Sequence, residues 1–390
     1  MIGITKMLFD TDFSGDKLRY NGHGSHQRNG QLPGPVVVWN STRTCNLNCV
    51  HCYADAENRA YAGELTTAEA EAMIDDLALL KAPVLLISGG EPLMREDLLH
   101  LIRYAGSRGI RCTLSTNGTL IDPAMALKIR ETGVTYVGIS LDGIGPEHDS
   151  YRGQPGSFDA ALAGIRNCLA VGQKVGLRYT LSRPNLDQLP AIFDLIETER
   201  IPRACFYHLV YSGRGERMAD GALSRQETRQ ALDLIIDKAK ALGPGTEILT
   251  VDNHSDGIYL YLKALRETPE KPERIRSLLN LNGGNRSGIA IGCIDPFGGV
   301  HPDQFSWNHS LGNIREIPFS QLWTTEAPPL LKALRDRKSL LEGRCGRCAW
   351  VDRCNGNFRA RAEAASGRYW AEDPGCCLAD EEIQATEVGL

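Results

Sequence analysis

Val36-Val37-Val38-Trp39-Asn40-Ser41-Thr42-Arg43-Thr44-Cys45-Asn46-Leu47-Asn48-Cys49-Val50-His51-Cys52 runs from an apolar, strand-like stretch directly into three cysteines spaced C-x3-C-x2-C. A four-iron, four-sulfur cluster is a cube that ordinarily takes four thiolates. Three thiolates on one tight loop hold three irons and leave the fourth open to a small molecule, to which it can pass an electron. Zinc is the competing reading, but a structural zinc site wants four ligands, usually from paired C-x2-C knuckles.

Outward from this loop, strand-like and helix-like segments alternate from Pro35 to about Leu209. After Val36 to Trp39, strands are expected at Val84–Ser88, Arg111–Ser115, Tyr136–Ser140, Lys174–Leu181 and Cys205–Leu209. Helices fall between them. Thr66 and Glu69 have the spacing of a capping box and open a helix through Leu80. Six such units with short apolar strands suit a parallel sheet, whereas eight would close a full barrel. Polar motifs end several strands: Ser88-Gly89-Gly90-Glu91-Pro92, Ser115-Thr116-Asn117-Gly118 and Ser140-Leu141-Asp142-Gly143, with His148-Asp149 and Arg152 following. Strand C-terminal ends are where α/β barrels build their sites. Bare glycines permit close backbone approach to a ligand, and Glu91 offers acceptors for an ammonium. Residues 1–34 read as an arm with little core-forming capacity, because Asn21 to Gly34 is rich in Asn, Gly, His, Ser and Gln. The expected organisation is therefore an arm (1–34), a barrel-like unit (35–245) and a C-terminal extension (246–390).

Composition narrows the function classes. The chain has 390 residues, 42% hydrophobic content and a net charge of −5 with both signs interspersed. That is a globular protein with a sizeable core, not a nucleic-acid binder. No stretch approaches a membrane span, and Met1 to Asp10 lacks a signal-peptide pattern. The expectation is a cytoplasmic protein. Twelve cysteines in a reducing compartment are metal ligands or thiols more often than disulfides. Cys112, Cys168 and Cys205 lie in apolar runs and read as core residues. A second group, Cys345-x2-Cys348-x5-Cys354 with Cys376 or Cys377, has the composition of another metal site, zinc or iron–sulfur.

The cysteine triad and the strand-end motifs together resemble the signature of the radical S-adenosylmethionine (SAM) enzymes. The resemblance implies a partial (β/α)6 TIM barrel. It implies that a [4Fe–4S] cluster on Cys45, Cys49 and Cys52 binds SAM and cleaves it to a deoxyadenosyl radical. It also implies SAM contacts at Gly89, Gly90, Glu91, Ser115, Asn117, Ser140 and Arg152. His51 departs from the pattern, since an aromatic residue usually precedes the third cysteine. The C-terminal group resembles the SPASM or twitch extension, which implies an auxiliary [4Fe–4S] cluster on Cys345, Cys348, Cys354 and Cys376. Cys376 is preferred to Cys377 because it follows Asp373-Pro374-Gly375. Asp303 stands where such extensions often carry cysteine, so two clusters in all are expected rather than three. Cys293 is left as a buried thiol, a further ligand or a catalytic thiol.

Nearly the whole chain is similar to radical SAM proteins of tetrapyrrole biosynthesis. The telling segments are Phe206 to Gly215, Thr250 to His254 and Val300 to Phe305. Met1-Ile2-Gly3-Ile4, Gly292-Cys293 and Asn357 to Arg361 resemble the didecarboxysiroheme deacetylases, with the NirJ-type enzymes of nitrite-reductase haem synthesis close behind. The implied reaction removes two acetate side chains from 12,18-didecarboxysiroheme to give iron-coproporphyrin III, with hydrogen abstraction expected at an acetate methylene. Propionate removal of the NirJ type and radical SAM peptide maturation are the alternatives. A tetrapyrrole substrate and an electron donor such as ferredoxin or flavodoxin are the implied partners. The substrate's carboxylates call for arginines, with Arg178, Arg214 and Arg286 as candidates. Its iron calls for an axial histidine, with His208, His254, His301 and His309 as candidates.

Overall fold

The computed structural model describes residues 1–20, 34–267 and 272–384. Its strands, in chain order, are β1 (Ile2–Gly3), β2 (Val36–Asn40), β3 (Val84–Ser88), β4 (Arg111–Thr116), β5 (Tyr136–Ser140), β6 (Val175–Leu181), β7 (Arg203–His208), β8 (Glu247–Val251), β9 (Ile291–Ile294), β10 (Gly299–His301) and β11 (Gly312–Asn313). They form one sheet in the order β1-β8-β7-β6-β5-β4-β3-β2-β9-β10-β11. Strands β2 to β7 are the six expected from the sequence, each with a helical crossover, and every neighbouring pair among them is parallel. The sheet curves as an open partial barrel and does not close.

Two strands extend the parallel run beyond the sequence expectation. β8 pairs with β7, and β9 pairs with the free edge of β2 through Val36↔Ile291 to Trp39↔Ile294. The glycine-rich stretch Asn282 to Gly299 therefore carries a core strand. The antiparallel strands β1, β10 and β11 flank this parallel array.

Local chemistry sets the helix ends. The helix Thr67–Leu79 starts at the capping box of Thr66 and Glu69, and Arg225–Leu242 starts at a second box from Ser224 and Glu227. Each box satisfies amides that the first helical turn leaves unpaired. Pro123 opens the helix Pro123–Glu131, where the Asp122 side chain accepts from the Met125 amide.

The N-terminal arm corrects the sequence reading. Ile2, Ile4 and Met7 are buried in the main core, and the short helix Ile4–Leu8 packs beside β8. Thr5 ties this segment down, since its hydroxyl donates to the Thr246 carbonyl and accepts from the Ile248 amide. The polar stretch that suggested an arm, residues 21–33, lies outside the described residues. The segments 1–34, 35–245 and 246–390 share the one sheet, and the main core draws on Ile4, Val37 and Trp350 alike. No helix among the described residues is long and apolar enough to cross a membrane.

A shared core predicts joint unfolding. Ile294 on β9 is fully buried, and Ile294→Ala should cost about 2–5 kcal/mol. Thermal unfolding followed by circular dichroism and by exposure of the C-terminal thiols should shift as one transition. Two separate transitions would mean that the C-terminal segment unfolds on its own.

Candidate active site

The C-terminal ends of β2 to β8 open on one cavity. It encloses about 1070 Å³ of space free of protein atoms, counting its mouth. Cys45, Cys49 and Cys52 line it together with Gly89, Gly90, Ser115, Asn117, Ser140 and Arg152. The strand-end motifs that the sequence singled out therefore converge.

The cysteine loop is built on the two glycines. The Ser41 amide donates to the Ser88 carbonyl at 2.9 Å, Gly90 to Thr42 at 2.7 Å, and Glu91 to Thr44 at 2.8 Å. The two chains run so close that a Cβ on Gly89 would sit 2.4 Å from the Thr42 carbonyl oxygen, and one on Gly90 2.3 Å from that of Thr44. Gly89 also has φ +129°, a left-handed value that favours glycine. The close approach read from the sequence as room for a ligand is in the first place an approach to the base of the cysteine loop.

Each of the three sulfurs faces an N–H donor. The Leu47 amide lies 3.4 Å from Cys45 Sγ, Arg152 Nη1 3.4 Å from Cys49 Sγ, and the Ala56 amide 3.5 Å from Cys52 Sγ. Burial pushes the Cys45 thiol up to about 12, with the Leu47 amide opposing it. Thiolates in this loop therefore need a positive partner, which bound metal supplies. Arg214 corrects a sequence expectation. Its Nε donates to the Cys49 carbonyl at 2.8 Å, its Nη1 to the Ala56 carbonyl at 2.9 Å, and its amide to the Cys52 carbonyl at 2.9 Å. It braces the cysteine loop and lies off the cavity wall.

Glu91 also departs from expectation. Its buried carboxylate accepts from Thr116 Oγ1 at 2.7 Å, the Asn117 amide at 2.8 Å and the Leu93 amide at 3.1 Å. It faces away from the cavity and holds the ends of β3 and β4 together. Arg152 does face the cavity. It pairs with Asp142 at 2.5 Å, and Asp142 also accepts from the Thr180 amide at 2.8 Å and lies 3.3 Å from His51 Nε2. Burial opposes ionisation of Asp142, but Arg152 and His51 outweigh it and hold the carboxyl well below the usual range. His148 accepts the Asp142 amide through Nδ1 at 3.1 Å, and burial lowers it to about 4, so it is neutral at pH 7. Asp142 had no role in the sequence reading. The available signal was a carboxylate placed two residues after Ser140, where a strand ends.

The cavity is also lined by Arg178, Tyr207, His208, Asp252, Gln304 and Phe305. Arg178 lies over the Tyr207 ring at 4.7 Å and donates to the Ser115 hydroxyl. His208 is fixed through Nε2, 2.8 Å from Asp256. The other substrate candidates lie elsewhere. The His254 amide donates to Asn357, and its ring meets the Met1 amine. His301 is held between Asp295 and the His309 carbonyl, and His309 itself pairs with Glu363. Arg286 is off the cavity, and Cys293 is a buried thiol on β9, 3.6 Å from Asn40 Nδ2.

Cys345, Cys348, Cys354 and Cys376 line a second, smaller void. Cys377 turns away from it and lies 3.3 Å from the Ser255 hydroxyl. The backbone after Cys354 stays left-handed through Asn355, Gly356 and Asn357, residue types that tolerate it. The loop carrying Cys376 is pinned by Asp373, whose carboxylate pairs with Arg361 at 2.7 and 2.8 Å and accepts the Phe358 and Gly375 amides. Arg361 also donates to the carbonyls of Leu209 and Asp252, at 3.3 and 3.0 Å. It thus ties this void to the wall of the first.

Residues 39–196 match the family model described as the radical SAM superfamily. The chain is 52% identical over 395 residues to the Fe-coproporphyrin III synthase of Methanosarcina barkeri, covering 98% of this chain and 99% of that one. The chain is a radical SAM enzyme. Within that superfamily it belongs with the haem synthases. It is 42% identical to the pre-heme d1 synthase of Dinoroseobacter shibae, over 91% of this chain and 89% of the relative. Among solved structures, SuiB of Streptococcus suis bound to its precursor peptide aligns with a TM-score of 0.71 at 17% identity, covering 90% of this chain and 77% of SuiB. That likeness is one of fold.

The glycine packing of this radical SAM enzyme is open to test. Gly90→Ala forces the Thr44 carbonyl away and should cost upwards of about 2 kcal/mol. In metal-free protein it should speed thiol-reagent labelling of Cys45, Cys49 and Cys52. Gly245, with nothing within 4 Å of its added Cβ, is the control. Equal labelling in the two alanine variants would refute the packing role.

Proposed function

We propose that this enzyme removes the two acetate side chains of 12,18-didecarboxysiroheme, giving iron-coproporphyrin III. The observation that carries this reading is the 52% identity, over 98% of the chain, to an Fe-coproporphyrin III synthase. In this reading Cys45, Cys49 and Cys52 hold a [4Fe–4S] cluster, and SAM lies beside Gly89, Gly90, Ser115, Asn117, Ser140 and Arg152. When bound, cluster and SAM supply a hydrogen-abstracting carbon radical, chemistry that belongs to the cofactors rather than to side chains.

The residues of the chain bind, orient and exclude water. Arg152, with Asp142 behind it, keeps one positive charge beside Cys49 and available to the SAM carboxylate. Arg178 presents its remaining N–H groups to a substrate carboxylate. Of the four candidate histidines, His208 lines the cavity and offers Nδ1 to the substrate iron. Cys345, Cys348, Cys354 and Cys376 hold a second [4Fe–4S] cluster. All its irons are liganded by protein, so it serves electron transfer, fed by a donor such as ferredoxin or flavodoxin.

Radical chemistry revises the position of abstraction. A carbon radical fragments a bond one atom removed from itself. A radical on the acetate methylene therefore cannot release that acetate. The productive hydrogen is on the ring carbon next to the quaternary carbon that bears the acetate.

Two measurements test this reading. Reconstituted enzyme incubated anaerobically with SAM, dithionite and the pigment should yield pigment lighter by two acetate units, plus deoxyadenosine. Deuterium placed on that ring carbon should appear in the deoxyadenosine. Loss of propionate instead would favour the pre-heme d1 type of reaction, and unchanged pigment would reject the tetrapyrrole reading. Separately, iron should fall below about eight per chain, by up to about four, in Cys376→Ala and stay near eight in Cys377→Ala. Equal loss in both would reject the ligand assignment.

A further inference from the structure

Among the carboxyl groups around the cavity, Asp252 stands apart. It follows the last residue of β8 and lines the cavity wall with Arg178, Tyr207 and His208. Its side chain has no hydrogen bond or ion pair among the described residues, although the residue is only 8% exposed. Its neighbours are all engaged: Asp142 with Arg152, Asp256 with His208, Asp373 with Arg361, and Asp303 with the Phe305 amide and the Ser306 hydroxyl.

The backbone at Asp252 is held in a left-handed conformation, φ +64°. Asp and Asn adopt this region more readily than other residues with a Cβ, and here the surroundings hold it. They do so on both sides. The Asp252 carbonyl accepts from Arg361 Nη2. Asn253 donates to the Gly375 carbonyl at 2.8 Å and accepts from Asn357 Nδ2 and the Ser255 hydroxyl, each at 2.7 Å. Held this way, Asp252 lies on the wall of the reaction cavity with a carboxyl group that has no hydrogen-bond partner among the described residues.

The deacetylase reading leaves a chemical requirement that none of the assigned residues meets. Once the ring-carbon hydrogen is gone, the bond from the quaternary carbon to the acetate arm breaks homolytically. One electron of that bond joins the unpaired electron on the neighbouring carbon to complete the ring double bond. The other leaves on a carboxymethyl radical. To become acetate, this fragment takes one electron and one proton. A low-potential one-electron donor of the ferredoxin or flavodoxin class supplies the electron.

We propose that Asp252 supplies the proton. An O–H bond of the Asp252 carboxylic acid breaks, a C–H bond forms on the fragment, and the carboxylate is reprotonated from solvent. This proposal rests on the deacetylase reading. The charged groups that bear on Asp252 are the Met1 amine, Arg361 and Arg178, which favour its ionised form, and Asp303, which opposes it. Burial outweighs them and lifts the carboxyl to about 6, close to the operating range of a general acid.

The test is single-turnover reaction of the reconstituted holoenzyme with SAM, reductant and didecarboxysiroheme in D2O, in wild type, Asp252→Asn and Asp252→Glu. Asparagine keeps the shape and tolerates the left-handed backbone, so the variant should fold. Wild type should release acetate carrying one solvent deuterium. Its acetate-forming rate should fall about tenfold per pH unit once the acid form is lost above roughly pH 6. Asp252→Asn should still form deoxyadenosine, release acetate at least ~100-fold more slowly and lose that pH dependence. Asp252→Glu should recover part of both. Acetate without solvent deuterium, or unchanged acetate release from Asp252→Asn, overturns the proposal and leaves the deacetylase reading standing. Loss of deoxyadenosine formation in Asp252→Asn also overturns it, since the residue then acts before fragmentation. If wild type makes no acetate from this pigment, the deacetylase reading fails and the proposal goes with it.

Discussion

The pair Arg361–Asp373 is fully buried, and both voids lean on it. Burying two charges is costly unless their hydrogen-bonding capacity is used. Here it is used closely. Arg361 spends its guanidinium on Asp373 and on the carbonyls of Leu209 and Asp252, while Asp373 takes the Phe358 and Gly375 amides as well. Gly375 is part of the fit, since a Cβ there would lie 2.5 Å from the guanidinium. One ion pair therefore sets the ends of β7 and β8, which wall the first cavity, and the loop that brings Cys376 to the second. The two cysteine groups are held at a fixed spacing by an interaction that belongs to neither.

The cysteine loop follows the same logic on a smaller scale. Residues that read as ligand contacts divide into two sorts once placed. Ser140, Asn117 and Arg152 face the open space. Glu91 and Arg214 have turned inward and spend their charge on backbone groups. A motif in such a site is partly a set of ligand contacts and partly the scaffold that aims them. A spacing pattern cannot say which is which.

The six strands β2 to β7 were legible because each is a short apolar run ended by polar motif residues. β8 was not, because Glu247-Ile248-Leu249-Thr250-Val251 comes just after Gly243-Pro244-Gly245, beyond the last of the regularly alternating units. β9 is only four residues long, set in a glycine-rich stretch, and exists because the edge of β2 is there to receive it. The three cysteines line one cavity with Ser115, Asn117, Ser140 and Arg152, while Glu91 does not. The histidines show where reading stops. His208, His254 and His301 come from segments of equal resemblance, yet His208 alone of the three lines the cavity. Which way a side chain points at a strand end depends on neighbours that arrive from far along the chain.

That dependence has a temporal side. Val38 in β2 faces Cys293 in β9, so the strand leading into the cysteine loop waits for a partner made some 250 residues later. At ribosomal speeds of ~5–20 residues per second, the wait is of the order of 13–50 s. Throughout it, a flat apolar edge and three unprotected thiols sit side by side on the nascent chain. Such an edge is a template for wrong pairing. Slow steps in the making of this enzyme should therefore belong to the closing of β2 rather than to the helices around it.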